Sequence, residues 1–431
     1  MKSLRLLSYM CFPSCSYAQF DSRICQKVRR IFKDPGVPKT GFAPKCQLAH
    51  SHIPATICQV KPACSGQLTQ PLTGKGRHDG HRSKGLRERL RDGEDIICAE
   101  GYMWELERRG YLKSGVFTPE VVLDHPERVT NLHEEYVHAG SDIVEAFTYY
   151  GHREKLRLIG REDELEKLNL TALSLARSVA DKHGCLMAGN LSNTTSFDPD
   201  DATIIERTRE IFKEQVEWAV RGGADMMIAE TFNDLGEAKL ALEAIQKYGN
   251  GIPAVVTLTP YFHDVTTDGV PIPQALRELE QLGADVVGLN CGRGPKTFLP
   301  LLKEARKVVK GPLAALPVPF RTTPKQKTFQ SLTDPENGKK LYPLDLACVQ
   351  CNRSDIREFA LEARDLGVRY VGLCCGSTSN LVRELALVYG RNPPSAKFEP
   401  DLSKNFAMGG LYRRSSHILS HMTGEEDGAA S

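Results

Sequence analysis

Between residues 85 and 395, short runs of aliphatic and β-branched residues alternate with longer stretches whose apolar positions recur at helical spacing. The runs predict strands near Ile96–Ala99, Ile143–Phe147, Cys185–Asn190, Met226–Thr231, Ala254–Thr259, Val286–Cys291, Leu313–Val318 and Tyr370–Cys374. Each is followed by a segment long enough for a helix. Four are entered through the same kind of phrase: Gly140-Ser141-Asp142, Gly223-Ala224-Asp225, Gly283-Ala284-Asp285 and Gly367-Val368-Arg369. A glycine there suits the left-handed position just past a helix's last turn, where a Cβ has no room. Helix, glycine stop and strand, repeated eight times, predict an α/β fold of the (β/α)8 TIM-barrel type. An open, doubly wound sheet is the alternative, because the pattern does not reveal whether the sheet closes.

The two ends break this rhythm. Residues 1–84 are rich in Pro, Ser, His and basic residues, lack an amphipathic repeat, and read as a disordered basic extension or leader. Before residue 80, 12 Lys and Arg face only Asp21, Asp34 and Asp79, about +9 in all, so the remainder carries about −7 within a formal total of +2. Met1 to Ala18 faintly resembles a secretion signal with an interrupted apolar run, and an acid-poor basic leader also fits a mitochondrial presequence. Residues 396–431 read as a polar tail with the acidic finish Glu425-Glu426-Asp427. The body between them, 85–395, is the predicted barrel. The near-neutral total gives no sign of nucleic-acid binding. No apolar run is long enough to span a membrane as a helix.

In a barrel, chemistry sits at the C-terminal ends of the strands. Strand 4 ends Ile228-Ala229-Glu230-Thr231, and a carboxylate closing an apolar run is costly unless it binds something. Strand 6 ends Asn290-Cys291-Gly292 and strand 8 ends Leu373-Cys374-Cys375-Gly376. With only strand 7 between them, three thiols can converge at the mouth. Three cysteines with an open fourth position suit a reactive zinc site, since structural zinc usually takes four protein ligands. The 13 cysteines are an odd total, which argues against a closed disulfide framework. Free thiolates favour a cytoplasmic location, with the mitochondrion as the alternative that the leader raises. Two other readings stand beside this one: ordinary buried thiols, and a phosphate grip by Gly376-Ser377-Thr378 in a barrel without metal. Cys348 and Cys351 read as loop or core residues, Cys98 and Cys185 as strand packing, and His125, His133, His138 and His152 as surface.

Residues 85 to 395 resemble the homocysteine S-methyltransferase family, and within it the betaine-using branch. Gly288-Leu289-Asn290-Cys291 and Leu373-Cys374-Cys375-Gly376 match its two zinc motifs, and Ile228-Ala229-Glu230 matches its homocysteine-binding strand. Glu107-Arg108-Arg109-Gly110-Tyr111, Ala139-Gly140-Ser141 and Phe147-Thr148-Tyr149-Tyr150 resemble the betaine branch in particular. The resemblance implies one zinc ion per chain on Cys291, Cys374 and Cys375, activating homocysteine sulfur for attack on a methylated cation. It implies that Glu230 holds the homocysteine ammonium and that amides near Gly101 hold its carboxylate. Aromatic faces attract quaternary cations, and Tyr102, Trp104, Phe117, Phe147, Tyr149 and Tyr150 cluster after strands 1 and 2 on the mouth side, with Tyr102, Phe117, Tyr149 and Tyr150 as candidate substrate-binding residues; Phe117 and Tyr150 fall where the branch places donor contacts. The family's Asp-Gly-Gly-like turn after strand 1 reads Ala99-Glu100-Gly101 here, which makes Glu100 a candidate to replace the missing acid. Glycine betaine is the favoured donor, a sulfonium such as S-methylmethionine the next. A non-catalytic zinc-binding relative is a further alternative. The segment after Cys375 is shorter than the oligomerisation arm of the animal betaine enzymes, which leaves a homo-oligomer open.

Overall fold

Eight parallel strands pair each with the next in chain order, and the last closes on the first, with Ile96 opposite Tyr370 and Ala99 opposite Leu373. The computed structural model describes residues 84–405, 420–422 and 424, so residues 1–83 of the predicted leader and most of the predicted tail lie outside the described residues. The strands are β1 Ile96–Ala99, β2 Ile143–Glu145, β3 Leu186–Ser192, β4 Met226–Phe232, β5 Ala254–Leu258, β6 Val286–Asn290, β7 Leu313–Leu316 and β8 Tyr370–Leu373. The closed sheet decides between the two predicted architectures in favour of the barrel. Eight outer helices follow the strands in order: α1 Pro126–Ala139, α2 Leu165–His183, α3 Ala202–Arg221, α4 Leu235–Tyr248, α5 Ile272–Gln281, α6 Pro295–Val308, α7 Arg353–Asp365 and α8 Ser379–Val388. Among the described residues, no helix is long and apolar enough to cross a membrane.

Local chemistry sets these boundaries. Pro126 and Pro295 occupy first-turn positions that need no amide hydrogen. Asp201 accepts from the amides of Thr203 at 2.8 Å and Ile204 at 3.3 Å, capping α3. Asn352 and Asp355 cap α7 reciprocally, each side chain accepting from the other's amide at 2.9 Å. The repeated glycine phrase has a second purpose. In three of the four phrases an aspartate accepts from an amide of the preceding strand: Asp142 from Ile97, Asp225 from Met187 and Asp285 from Ala254, at 2.8 to 2.9 Å. Arginines from outside complete these carboxylates, as Arg177 does for Asp225 at 2.8 Å. One glycine-led phrase therefore stops a helix and stitches the closed end of the barrel.

Strand side chains alternate between the two faces. The inward set, including Ile96, Cys98, Ile143, Ala188, Ile228, Val255, Leu316 and Tyr370, fills the barrel, and Leu86 from the helix Leu86–Arg91 packs into the same cluster. The outward set joins the helices in the larger core. Two of the four histidines read as surface residues are instead buried: His133 is 0% and His152 1% exposed, while His125 and His138 are exposed. His133 lies on the inner stripe of α1, with Nδ1 3.1 Å from the Tyr102 hydroxyl. His152 heads the short helix Arg153–Arg157, and neither of its ring nitrogens has a partner.

Burial lowers the pKa of both imidazoles to about 3. Below their ordinary value near 6.5 the unfolded chain therefore binds protons that the folded protein excludes, and stability falls as the pH drops from 6.5 toward 3. The slope should be about 1.4 kcal/mol per pH unit for each histidine. Thermal unfolding followed across that window should show this decline, and His152→Leu should remove one proton's share of it; an unchanged slope would contradict neutral burial of His152.

Candidate active site

The next inward position on most strands, one step beyond the apolar filling, is polar. Cys98 is followed by Glu100, Ile143 by Glu145, Ala188 by Asn190, Ile228 by Glu230 and Val255 by Thr257, while Asn290 and Cys374 close β6 and β8. All seven are buried. The alternation that packs the barrel thus lays a ring of carboxyl, amide and thiol groups across its C-terminal end.

Two asparagines knit this ring together. Asn190 Nδ2 donates to Glu145 Oε1 and, at 2.8 Å, to Glu230 Oε1. Asn290 Nδ2 faces Glu230 Oε2 at 2.7 Å, Thr231 Oγ1 at 2.8 Å, Glu100 Oε2 at 3.3 Å and Cys374 Sγ at 3.8 Å. Its Oδ1 accepts from the Thr231 amide at 2.9 Å and the Thr257 hydroxyl at 3.0 Å. Burial pushes Glu100, Glu145 and Glu230 upward, and their mutual repulsion pushes Glu100 and Glu145 well above the carboxylate range. At Glu230 the same burial is opposed by its polar neighbours Glu100, Glu145 and Asn190.

The thiols stand beside this ring. Cys291 Sγ is 3.6 Å from Cys375 Sγ, Cys374 and Cys375 are 4.0 Å apart, and all three sulfurs lie within 4.8 Å of one another. Hydrogen bonds from Cys374 and Cys375 hold Cys291 well below the ordinary thiol range, and the same contacts with Cys291 push those two up. Glu100, Glu230 and Cys374 likewise bring an atom each within 4.8 Å. The buried-thiol reading does not explain three sulfurs meeting from two strands. The phosphate reading also fails: the Ser377 amide donates to Cys374 O at 2.9 Å, and a Cβ on Gly376 would stand 2.6 Å from the Phe320 ring, so that loop is already filled.

Backbone conformation concentrates here as well. Cys291 (φ 58°), Thr231 (φ 63°), Tyr150 (φ 58°) and Phe117 (φ 54°) occupy the left-handed region, each at roughly 1–3 kcal/mol of strain. At Thr231 the pairing of β4 with β5 slips by a bulge, a device that re-aims side chains at strand ends. Gly101 (φ 88°) can take its place only as glycine, since a Cβ would meet Cys374 O at 2.7 Å. That close approach sets the turn after β1 against the thiols.

The aromatic residues divide into two groups. Tyr102 and Phe147 stack at 5.8 Å with Tyr136 and His133, behind Glu145, and so belong to the core and not to the mouth predicted for them. Trp104 stacks on Phe117 at 5.6 Å and meets Phe329 and Tyr342, which the long β7–α7 connection brings over the thiols. Tyr149 and Tyr150 lie 4.4 Å apart, and they, Tyr261 and Tyr342 all sit close enough to Cys291 and Cys375 to feel their charge. Lys155 places Nζ 3.9 Å over the Tyr150 ring, with Val116 O at 3.5 Å. Burial alone depresses its pKa, and no carboxylate pairs with it among the described residues. Glu145, Asn190, Asn290, Tyr261 and Tyr342 were not anticipated as site residues. The first three were legible by counting two residues past each inward apolar position; the tyrosines come from loops without a periodic signal.

A closed parallel barrel whose strand ends converge buried acids, thiols and strained backbone has the architecture of an enzyme. The homocysteine S-methyltransferase family profile matches residues 96–389. The chain is 34% identical over 341 residues to betaine–homocysteine S-methyltransferase 1 of Mus musculus, spanning 76% of this chain and 80% of that one. It is also 34% identical over 334 residues to the S-methylmethionine–homocysteine S-methyltransferase BHMT2 of Pongo abelii, spanning 74% and 86%. The metallated homocysteine methyltransferase MmuM from Escherichia coli shares the fold, with a TM-score of 0.55 at 18% identity over 69% of this chain and 98% of that one. The chain belongs to the homocysteine S-methyltransferase family, enzymes that transfer a methyl group to homocysteine.

Asn290→Ala would leave the Glu230 carboxyl, the Thr231 amide and the Thr257 hydroxyl short of buried partners. It should lower the unfolding free energy by about 3 kcal/mol. Urea titration checks this, and a loss under 0.5 kcal/mol would show that Asn290 does not organise the ring.

Proposed function

We propose that Cys291, Cys374 and Cys375 hold one zinc ion and that the enzyme methylates homocysteine from a small onium compound bearing a carboxylate, glycine betaine before S-methylmethionine. The observation that carries this is the sulfur geometry. Three thiolates on one face of a tetrahedral zinc at about 2.3 Å stand about 3.8 Å apart, and the two sulfur separations given above, 3.6 and 4.0 Å, bracket that value. A fourth position would be left for substrate. Zinc bound there would hold the homocysteine sulfur as a thiolate at neutral pH, where a free thiol is mostly protonated.

The protein's own groups supply the rest. Glu230, fixed by Asn190 and Asn290, binds the substrate ammonium, with Glu100 beside it in place of the acid absent at Ala99. The backbone around Gly101 faces the substrate carboxylate. Tyr149, Tyr150, Tyr261 and Tyr342 surround the incoming methylated cation, each face contributing about 0.5–2 kcal/mol of cation–π attraction. Trp104, Phe117 and Phe329 exclude water above them. Lys155 offers its unpaired ammonium to the donor's carboxylate. In the transfer the sulfur–carbon bond forms as the donor's carbon–nitrogen or carbon–sulfur bond breaks, and that electron pair leaves with the neutral amine or sulfide. The aromatic walls suit a cation that loses its charge in the same step.

Methionine formation from homocysteine should therefore be detected with betaine or a sulfonium acid and be far weaker with tetramethylammonium, which has no carboxylate. Lys155→Met should raise the KM for betaine roughly tenfold, the equivalent of about 1.4 kcal/mol. Cys291→Ala should abolish zinc retention and activity together. Activity retained in that variant, or zinc retained with no product from any donor, would refute the mechanism.

A further inference from the structure

The ring contains more carboxyl groups than the reading above uses. Glu145 ends β2 at 3% exposure; it accepts from Asn190 through Oε1, and its Oε2 has no partner. Glu100 Oε1 and Asn190 Oδ1 are buried and unpartnered as well. All three orphaned atoms are acceptors, and all belong to the network that Asn190 and Asn290 tie to Glu230. Glu100 and Glu145 each bring an oxygen within 4.8 Å of the other, and Glu100 and Glu230 do the same on the side facing Cys374. Burying a third carboxyl among two others, with acceptor atoms left empty, is costly unless a ligand rich in donors completes them. A primary ammonium carries three N–H donors and a positive charge. A quaternary ammonium carries none, so this ring and the aromatic walls call for different cations.

We propose that Glu145 is a third acceptor for the substrate ammonium, acting with Glu100 and Glu230, and that this three-carboxyl receptor makes the enzyme specific for thiols bearing a primary amine. The inference rests on the proposed homocysteine reading and deepens it at one residue. Asn190 is a positioning residue here: by donating to both Glu145 and Glu230 it holds the two carboxyls side by side. The thiols lie on the Cys374 side of the same ring. An ammonium among the carboxyls and a sulfur among the cysteines are then the two ends of one short amino thiol.

The test compares homocysteine with 4-mercaptobutanoate, the same thiol without its amino group, by titration calorimetry on zinc-loaded full-length protein. The wild-type protein should bind homocysteine far more tightly than the analogue. Glu145→Gln should weaken homocysteine binding ten- to hundredfold and leave the affinity for 4-mercaptobutanoate unchanged or improved, with zinc content the same by metal analysis. Glu145→Asp should recover part of the preference. A merely structural role for Glu145 would weaken both thiols alike, and that result overturns the inference, as does an unchanged preference in Glu145→Gln; in both cases the homocysteine reading survives. If the wild-type protein binds neither thiol, the homocysteine reading itself falls, and this inference with it.

Discussion

Three carboxyls and three thiols crowd the C-terminal end of the barrel, all buried or nearly so, and their charges cannot coexist there unaided. That constraint organises the site. Within the protein it is met by hydrogen bonds: Asn190 and Asn290 donate to Glu230, and Cys374 and Cys375 to Cys291. Glu100, Glu145 and Asn190 each keep a buried oxygen without a partner. The proposed zinc ion and substrate ammonium are the cations that would complete the two clusters.

The barrel delivers these groups by the same rule that packs its interior. Inward positions two residues apart run from apolar filling to polar ring along β1, β2, β3 and β4, so the floor of the site is rigid wherever the core is rigid. What cannot be obtained from regular strands is obtained from strain. Left-handed backbone at Cys291 and Thr231 and the bulge in β4 turn side chains into the ring from positions where a straight strand would point them elsewhere. The roof is built differently, from the long connection after β7 that carries Phe329 and Tyr342. Floor and roof thereby divide the site: strands supply the acids, amides and thiols, and loops supply the aromatic faces.

Much of this was legible in the chain. The glycine stops at Gly140, Gly223, Gly283 and Gly367 all take positive φ, between 76° and 117°, as the strand count required. Cys291, Cys374 and Cys375 were found by their places at strand ends. The failures have physical causes. Tyr102 and Phe147 fall on the mouth side by sequence because proximity to a strand end says nothing about which way a ring turns; Tyr102 turns toward Tyr136 of α1, and Phe147 stacks on Tyr102. His133 and His152 were assigned to the surface on residue type, although His133 falls on the buried stripe of its helix. Tyr261 and Tyr342 lie in connections whose shape depends on packing. Arg293, for example, holds the Tyr261 segment through backbone carbonyls from Tyr261 to His263, a contact no periodicity announces.

The central claim is that three sulfurs from two strands share one zinc ion with a place to spare. X-ray absorption at the zinc edge, on protein loaded with one equivalent, examines this directly. The account requires three sulfur scatterers at about 2.3 Å and one lighter atom, converting to four sulfurs when homocysteine is added. A zinc shell already closed by four protein ligands, or one that homocysteine leaves unchanged, would contradict it.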